Sequence, residues 1–410
     1  MPLAEPLYVS AYGGLTPLGH DRETLWQRVV RGERGYVLNG GRPAGRIAEE
    51  ELDDRLPARK YRRLPRYSKL VLAAAAAAIA DLGGEKVWAG FDLSRVGVFL
   101  GTGRGPLEAV ESLSDDLVAG QARQVNATHF QETVYNAPLG HLSIHYGITG
   151  PCVAISSGTA SGLLALEMAV AALAAGRIDL ALVGGVDTFT SGYQDGMGDA
   201  GVLAGSRGRR PDMAPFAADR NGIVIGEGGL FVVLERGSVL ERRAGSSGGR
   251  LARLSGIASA SDGFSFYGNE PGGAGFAHAI RGCLAAAGIA PSEVDFIFAS
   301  AGGERQLDRA EWEGIGQVWG GRPAAPVTAL KGLTGDMGAA SALFALAVGC
   351  EVFQRDLIPG LVQEGDLDPA CDLDVPRAAR PVRVERALVN EAAWGGVNAS
   401  VLLERPGNTS

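Results

Sequence analysis

The side chains that most often carry nucleophilic, acid–base or metal chemistry are few in this chain and lie far apart. The four cysteines are Cys152, Cys283, Cys350 and Cys371. None of them forms a Cys-x-x-Cys pair, so reduced structural thiols are favoured over a disulfide framework or a metal site. The five histidines are His20, His129, His141, His145 and His278. Because no cluster of ligands emerges, we predict that the protein uses no metal and no other cofactor.

The elements that hold functional side chains need a folded core, and the composition supplies one. Of the 410 residues, 46% are hydrophobic and 20% are charged, which excludes an intrinsically disordered chain. The formal net charge is −8, and the main basic run is the short stretch 59–66. Nucleic acid is therefore not expected as a partner.

The sequence carries no recognisable targeting or membrane-spanning pattern. It begins Met1-Pro-Leu-Ala-Glu-Pro6, which has neither a basic flank nor a cleavable apolar core. The longest apolar run, 70–82, is rich in alanine and too short to cross a bilayer. We therefore expect a soluble, cytoplasmic protein without membrane contact.

Strand and helix patterns alternate along the chain. β-Branched runs that end in glycine predict strands at 7–11 and 96–100. Runs with small residues on one face predict helices at 70–82, 162–175 and 277–287. Such alternation is typical of parallel βαβ units, so we predict a layered α/β fold.

The chain divides into two halves of similar layout. The stretch 244–249 reads Ala-Gly-Ser-Ser-Gly-Gly, a composition typical of flexible connections. We therefore predict an N-terminal half at 1–244 and a C-terminal half at 250–410. Each half contains a helix followed by a strand, at 162–175 and 180–184 in the first and at 277–287 and 294–298 in the second. This layout indicates an internal duplication.

Short motifs with a characteristic spacing occur in a fixed order along the whole chain. They are Val9-Ser-Ala-Tyr-Gly-Gly-Leu-Thr-Pro-Leu-Gly19, Arg95-Val-Gly-Val-Phe-Leu-Gly-Thr-Gly103, Gly150-Pro151, Ala181-Leu-Val-Gly-Gly-Val-Asp187, Ala214-Pro-Phe-Ala-Ala-Asp-Arg-Asn-Gly222 with Gly226-Glu-Gly228, Lys331-Gly-Leu-Thr-Gly335 and Gly395-Gly-Val-Asn398. Together they resemble the motifs of β-ketoacyl synthases. The resemblance implies a thiolase-like αβαβα five-layer sandwich of two duplicated βαβαβ halves. It also implies a dimer whose active sites lie near the interface.

The resemblance further indicates that the catalytic groups are missing. In this family a cysteine at the N-terminus of a buried helix is the nucleophile, and two histidines assist malonyl decarboxylation and stabilise the enolate. Aligning on Gly150-Pro151 and on the later Ala-Ser-Gly places Thr159 at the cysteine position. Ser300 stands at the first histidine position and Asp336 at the second. The resemblance therefore implies that this chain has no catalytic residue.

Other residues near the aligned site have structural interpretations. Cys152 lies in the strand that leads to the aligned cysteine position, and we expect it to be a small buried hydrophobe. Lys331 is retained from the family motif, and we expect it to be a structural ion-pair partner. Trp394 replaces the phenylalanine of the family's Gly-Phe-Gly-Gly gate, so we expect a rigid, closed gate formed with Gly395 and Gly396.

A complete ketosynthase scaffold without its catalytic groups resembles the chain-length factor, or β subunit, of type II polyketide synthases. The resemblance implies a heterodimer with a catalytic ketosynthase α subunit, with an acyl carrier protein as a second partner. The growing polyketide or polyene chain would extend into a tunnel at the shared interface. Chain-length factors of aromatic pathways carry glutamine where this chain has Thr159, which favours a polyene or other reducing pathway.

Two alternative functions stay open on the sequence. The chain itself could be a weak malonyl-thioester decarboxylase or acyltransferase that uses Thr159 and Asp336, although a threonine nucleophile needs an adjacent base. It could also be a homodimeric binder of acyl chains or carrier proteins without an enzyme partner.

The resemblance also identifies an expected partner-contacting segment, His129-Phe-Gln-Glu-Thr-Val-Tyr-Asn136. In the family the corresponding segment lies at the dimer interface, and in chain-length factors its side chains close the partner's tunnel. Helical spacing places Gln131, Val134 and Tyr135 on one face, with Phe130 beside them. Ordinary interface packing is the alternative for each of these residues.

Overall fold

The structure is a computed structural model that describes residues 5–37, 42–121, 123, 125, 127–206, 210–244 and 249–407. In these residues the strands are β1 (Leu7–Leu15), β2 (Ala44–Gly45), β3 (Val96–Gly101), β4 (Cys152–Ile155), β5 (Leu180–Asp187), β6 (Ile225–Gly226), β7 (Gly228–Arg236), β8 (Ala252–Ser261), β9 (Phe296–Ala299), β10 (Val327–Ala329), β11 (Leu357–Ile358), β12 (Arg380–Pro381), β13 (Arg386–Ala393) and β14 (Val397–Glu404). The helices are α1 (Arg22–Arg31), α2 (Glu49–Asp54), α3 (Arg66–Leu82), α4 (Leu107–Val118), α5 (Ala127–Gln131), α6 (Ala137–Tyr146), α7 (Ser161–Ala174), α8 (Ser191–Asp199), α9 (Gly237–Ala244), α10 (Ala274–Ala287), α11 (Arg305–Trp319), α12 (Lys331–Thr334) and α13 (Ala340–Arg355).

The strand order of the main sheet repeats between the two halves of the chain. The N-terminal half runs β4-β3-β5-β7-β1 from its edge inward, and the C-terminal half runs β10-β9-β13-β14-β8. In chain order both halves read third, second, fourth, fifth, first. In both, the outer three strands are parallel and the inner pairs are antiparallel. The predicted duplication is therefore confirmed.

Helices separate and cover the two halves of the sheet. The halves join through three residue pairs between β1 and β8. Helix α7 contacts β3 and β5 of one half and β8 and β14 of the other, while α13 contacts β5 and β7 as well as β13. On the outer faces, α3 covers the N-terminal half and α10 covers the C-terminal half. The result is the predicted five-layer αβαβα sandwich.

Helix α13 is buried between strands, whereas α7 also has exposed side chains such as Met168. Every residue from Ala340 to Phe353 of α13 is buried. A mainly apolar helix that is buried on all sides is typical of such a central layer, and α13 includes the buried Glu351 as an exception. The N-termini of α7 and α13 approach closely, since a Cβ atom on Gly162 would lie 2.2 Å from the carbonyl oxygen of Ala339. Glycine is therefore required where the two helices begin, and the candidate site lies at this point.

The predicted strands and helices lie within observed elements, with small shifts at their ends. The strand predicted at 294–298, for example, is β9 at Phe296–Ala299. The flexible connection predicted at 244–249 and the N-terminal stretch that begins with Met1 fall largely outside the described residues. In the part of the chain that the structure describes, no helix is both long and apolar enough to cross a membrane.

Candidate functional site

A cavity of about 200 Å³ lies where the two central helices begin. Thr159 lies at the start of α7, and Gly338 lies just before α13. The lining includes Arg104, Thr159, Asp187, Tyr193, Glu304, Lys331, Asp336 and Trp394. The structure thus brings together four of the residues that the sequence singled out, although their positions span more than half of the chain. None of the described lining residues is a histidine or a cysteine.

The hydroxyl of Thr159 is engaged by the backbone. Its Oγ1 donates a hydrogen bond to the carbonyl oxygen of Ala392, at the C-terminal end of β13. Gly158 precedes it with φ +59°, a conformation that favours glycine and turns the chain into α7. A threonine nucleophile needs a base that accepts its proton, and here the proton points at a carbonyl oxygen instead.

Lys331 lies at the centre of a buried ionic cluster. Its Nζ is 2.7 Å from Oε1 of Glu391, 3.7 Å from Oδ2 of Asp336 and 3.4 Å from Oγ of Ser300. Burial lowers the pKa of Lys331, but the carboxylates of Asp336 and Glu391 raise it more, so the pKa lies above its usual range. The ammonium is therefore held as a charged, paired group.

Ser300 lies behind the cavity and does not line it. It is 1% exposed, and its hydroxyl donates to Glu391 at 2.7 Å while accepting from the amide of Ala392 at 3.1 Å. Of the two positions at which the resemblance implies histidines, Asp336 therefore faces the cavity and Ser300 does not.

Glu391 was missed in the sequence, although it is the closest partner of Lys331. It lies on β13, where it is buried, and burial raises its pKa above the usual range although the Lys331 ammonium lowers it. The available signal was a charged residue inside a mostly apolar strand, Leu388-Val-Asn-Glu-Ala392. Charged side chains are rarely buried without a partner, so this glutamate required a buried cation.

Two carboxylates on α11 hold the turn that contains Ser300. Glu311 accepts from the amides of Ser300 and Ala301, both at 2.9 Å. Asp308 accepts from the amides of Gly302 and Gly303 at 3.0 and 3.1 Å. These bonds satisfy four consecutive buried amides and fix the path of the turn.

The opposite wall is built on Asp187 and Arg104. The carboxylate of Asp187 accepts from Thr102 Oγ1 at 2.8 Å, from the amide of Arg104 at 2.7 Å and from the amide of Ala339 at 2.8 Å. The Arg104 guanidinium donates to the carbonyl oxygen of Asp336 at 2.7 Å. Both side chains form hydrogen bonds to backbone groups, and these bonds fix the shape of the cavity.

Trp394 lines the cavity and is partly exposed. Its Nε1 donates to Oε2 of Glu304 at 2.7 Å, and its side chain is 40% exposed. Gly395 and Gly396 follow it with φ +89° and +78°, and neither lines the cavity. Burial raises the pKa of Glu304, while the bond from Trp394 lowers it. The sequence did not single out this glutamate.

The expected partner-contacting segment is exposed but is not one helix. Helix α5 ends at Gln131, and the amides of Glu132 and Thr133 then close turns onto the carbonyls of residues 129 and 130. The prediction that Gln131, Val134 and Tyr135 share a helical face is therefore wrong. The physical reason is that residues 132–136 form turns between α5 and α6.

One of the exposed side chains of this segment, Tyr135, lies close to the cavity wall. Phe130, Val134 and Tyr135 are 62%, 50% and 46% exposed, and Gln131 is exposed as well. The Tyr135 ring packs against Gly105, where a Cβ atom would lie 2.1 Å from a ring carbon. Gly105 directly follows the cavity residue Arg104. Tyr135 thus contacts the residue that follows Arg104 of the cavity lining.

The prediction that Cys152 is buried is also wrong. It was expected to be buried, but it is exposed as the first residue of β4. Strand β4 ends the sheet and pairs on one side with β3. An edge strand has a neighbouring strand on one side only, so less of the sheet covers it. No group of three or more potential metal ligands occurs in the described part of the chain.

Comparison with known proteins places this geometry in a family. A model described as the N-terminal domain of beta-ketoacyl synthase matches residues 4–239, and one described as the C-terminal domain matches residues 251–363. Nodulation protein E of Rhizobium sp. (strain N33) is 30% identical over 95% of this chain and 97% of its own.

A polyketide synthase beta subunit and a 3-oxoacyl synthase have similar sequence identities to this chain. The ketoacyl synthase beta subunit of the tetracenomycin polyketide synthase from Streptomyces glaucescens is 31% identical over 99% of this chain and 100% of its own. The 3-oxoacyl-(acyl-carrier-protein) synthase 2 of Vibrio harveyi is 27% identical over 97% of this chain and 98% of its own.

Solved structures agree in fold. A chain of the ishigamide ketosynthase/chain length factor superposes with a TM-score of 0.89 at 21% identity, covering 98% of this chain and 100% of that chain. A chain of the ketosynthase ApeO in complex with its chain length factor ApeC from Xenorhabdus doucetiae gives 0.80 at 24% identity, covering 99% of both. The two matched domains, the duplicated five-layer architecture and the cavity at the start of the central helices lead to one conclusion: the chain belongs to the β-ketoacyl synthase family.

Proposed function

We propose that this chain is a non-catalytic chain-length factor, which pairs with an active ketosynthase and shapes the acyl tunnel of a type II polyketide synthase. We favour a polyene or other reducing pathway because Thr159 departs from the glutamine of aromatic systems. The observation that carries the proposal is a cavity lined by Thr159 and Asp336, the residues that the family resemblance assigns to two of the three catalytic positions. Ser300, at the third, lies behind the cavity wall.

The chemistry of these replacements argues against condensation in this chain. Condensation needs a nucleophile, and the Thr159 hydroxyl donates to a backbone carbonyl. It also needs donors for a developing enolate, and Asp336 places a carboxylate there. Lys331 could offer a donor, but its ammonium is paired with Glu391 at 2.7 Å. The site therefore lacks a group for either step.

The outer surface supports a partner of the same fold. In the described part of the chain, strand β4 pairs on one side only, and the two helices that contact it, α6 and α7, carry the exposed side chains Ile144 and Met168. The free edge and the apolar side chains around it are features that native proteins cover. In the solved relatives, a ketosynthase is found with a chain length factor.

A carrier protein and a growing chain are the remaining partners in the proposal. One solved relative of 22% identity is an acyl-carrier protein in complex with its ketosynthase bound to a hexaketide. The fold is shared over 99% of this chain with a TM-score of 0.88. We infer that this chain receives the distal end of a carrier-bound chain, while the partner's cysteine forms the bonds.

The test is to co-express this chain with a ketosynthase that carries the cysteine and both histidines. We expect a heterodimer that condenses malonyl units, and we expect activity to vanish when the partner's cysteine is replaced by alanine. The matched change in this chain, Thr159→Ala, should leave activity largely intact. If activity depends on Thr159 and survives loss of the partner's cysteine, the proposal is wrong.

The same preparation separates the two alternatives. Thr159, Lys331 and Asp336 still share one cavity, which is the observation that favours an enzyme acting alone. Malonyl-thioester turnover by the isolated chain would support that alternative. A stable homodimer that binds acyl carrier protein and ignores the ketosynthase would support the binding protein.

A further inference from the structure

Glu132 is buried, unlike the aromatic and aliphatic residues around it in the exposed segment. Glu132 is 4% exposed, whereas Phe130, Val134 and Tyr135 around it are about half exposed or more. A carboxylate removed from water is costly unless it is hydrogen-bonded. Its burial in an otherwise exposed turn therefore calls for specific partners.

Two helices supply those partners. Ser68 of α3 donates its hydroxyl to Oε2 of Glu132 at 2.5 Å. On the other side, Nε2 of His141 on α6 lies 2.7 Å from Oε1. Burial raises the pKa of Glu132, but the bonds to His141 and Ser68 lower it more, so the pKa falls below its usual value. The carboxylate thus ties the turn to α3 and α6 in its charged form.

The far end of the same turn is held nearby. Tyr67, the neighbour of Ser68 on α3, donates its hydroxyl to the carbonyl oxygen of Tyr135 at 3.1 Å. The Tyr135 ring then rests on Gly105, beside the cavity residue Arg104. Consecutive residues of α3 therefore fix both the buried carboxylate and the last aromatic residue of the segment.

We propose that Glu132 is a positioning residue, whose buried carboxylate holds the turn that presents Phe130, Val134 and Tyr135 to the partner ketosynthase. The inference rests on the proposed function, because it takes the partner to be a ketosynthase. It goes further by assigning the conformation of the contact surface to one acid and its two donors. Neither Ser68 nor Glu132 lines the cavity of this chain.

The first experiment measures the turn in the purified chain by amide hydrogen exchange. The amides of Glu132, Thr133 and Ala137 donate within the turn. In Glu132→Ala we expect them to exchange about tenfold faster, since local opening no longer breaks the two carboxylate bonds. Glu132→Gln keeps an acceptor for Ser68 and should lie between the two. Unchanged exchange in Glu132→Ala would overturn the proposal.

The control is Glu85, a second acidic residue that faces α6. Glu85 lies 3.6 Å from His145 on the same helix, but its side chain is 67% exposed. Glu85→Gln should leave exchange in the turn unchanged. If Glu132→Ala fails to fold, Ser68→Ala removes one donor and should raise exchange by a smaller factor in the same amides. An equal increase in Glu85→Gln would overturn the assignment.

The second experiment separates this inference from the proposed function. With the reconstituted ketosynthase, we compare partner affinity and product length for Glu132→Ala and Tyr135→Ala. We expect Glu132→Ala to weaken partner binding and broaden the product distribution, with Glu132→Gln restoring part of both. If Tyr135→Ala changes product length and Glu132→Ala changes neither quantity, the positioning role is wrong and the proposed function stands. If no ketosynthase binds the wild-type chain, both are wrong.

Discussion

Alanine substitutions at single residues test whether this chain takes part in bond making. The family resemblance assigns Thr159, Ser300 and Asp336 to the three catalytic positions, and each is held by backbone or buried partners. We expect each alanine variant to keep the condensation rate of the heterodimer within a few fold. Loss of a true general acid or base costs ~10²–10⁴ in rate. A loss of that size at Asp336, with the heterodimer intact, would favour the enzyme alternative.

The buried pair of Lys331 and Glu391 should matter for stability instead. Both side chains are at most 5% exposed, and removing one partner leaves an uncompensated buried charge. We expect Lys331→Met to lower the free energy of unfolding by about 3–5 kcal/mol. The double variant with Glu391→Leu should recover most of this loss. Chemical denaturation of each variant measures the difference.

A lysine on the surface provides the comparison. Lys86 is exposed, and Lys86→Met should change the free energy of unfolding by less than ~0.5 kcal/mol. If Lys331→Met is as mild as this control, the pair contributes nothing to the fold. A double variant that is no more stable than Lys331→Met would show that the cost is steric rather than ionic.

The residues of the site could be predicted from the sequence where a motif carries them. Thr159 and Asp336 follow from short, ordered motifs, and both line the cavity. Glu391 and Glu304 could not be found in this way, since each pairs with a residue 60–90 positions away. Such pairs depend on which strands and helices meet, and this information is absent from local spacing.

At the scale of elements, a bidentate ion pair joins three parts of the N-terminal half. Asp179, between α7 and β5, accepts from Arg95 Nε at 2.7 Å and Nη2 at 2.9 Å, and also from Arg236 at the end of β7. The bond from Arg95 is the main cause that holds the pKa of Asp179 below its usual value. We expect Asp179→Asn to destabilise the fold by about 1 kcal/mol near neutral pH, since the arginines are partly exposed.

The pH dependence of this effect has a definite sign. Because the folded-state pKa is depressed, the carboxylate stabilises the fold above its unfolded pKa of 3.8 and ceases to do so as the pH falls through the lower folded value. The difference between wild type and Asp179→Asn should therefore shrink as the pH falls from about 6 to about 3. Asp115→Asn, at an exposed carboxylate, should show little difference at either pH. A gap that grows on acidification would contradict the assignment.

Helices and strands could be predicted from the sequence because their patterns are local. The surroundings of these elements could not be predicted in this way. The alanine-rich run predicted at 70–82 lies within α3, and the run at 162–175 lies within α7. By contrast, helical spacing at 131–135 failed because the chain turns after Gln131, where Glu132 is drawn toward α3 and α6. Cys152 was misplaced for a related reason. Its exposure depends on β4 being the last strand of the sheet.

At the scale of the whole molecule, the free edge of β4 predicts poor behaviour without a partner. Exposed apolar side chains on α6 and α7 lie on the helices that contact this edge. Obligate interfaces are large and apolar, and an unpaired one promotes association. We expect the isolated chain to aggregate or self-associate at micromolar concentration and to become monodisperse with its ketosynthase. Light scattering of both samples measures this, and a stable monomer of the isolated chain would contradict it.

Product length is the property that the assembled pair should reveal. Phe130 near the end of α5 and Val134 and Tyr135 in the turn before α6 are exposed, and Tyr135 packs on Gly105 beside the cavity wall. If these side chains close the partner's tunnel, trimming Tyr135 or Phe130 to alanine vacates volume along the path of the chain, and the product should lengthen. Val134→Trp should shorten it. Mass spectrometry of carrier-bound intermediates gives the distribution directly. Unchanged lengths in all three variants, with assembly and rate preserved, would place the end of the tunnel on other residues.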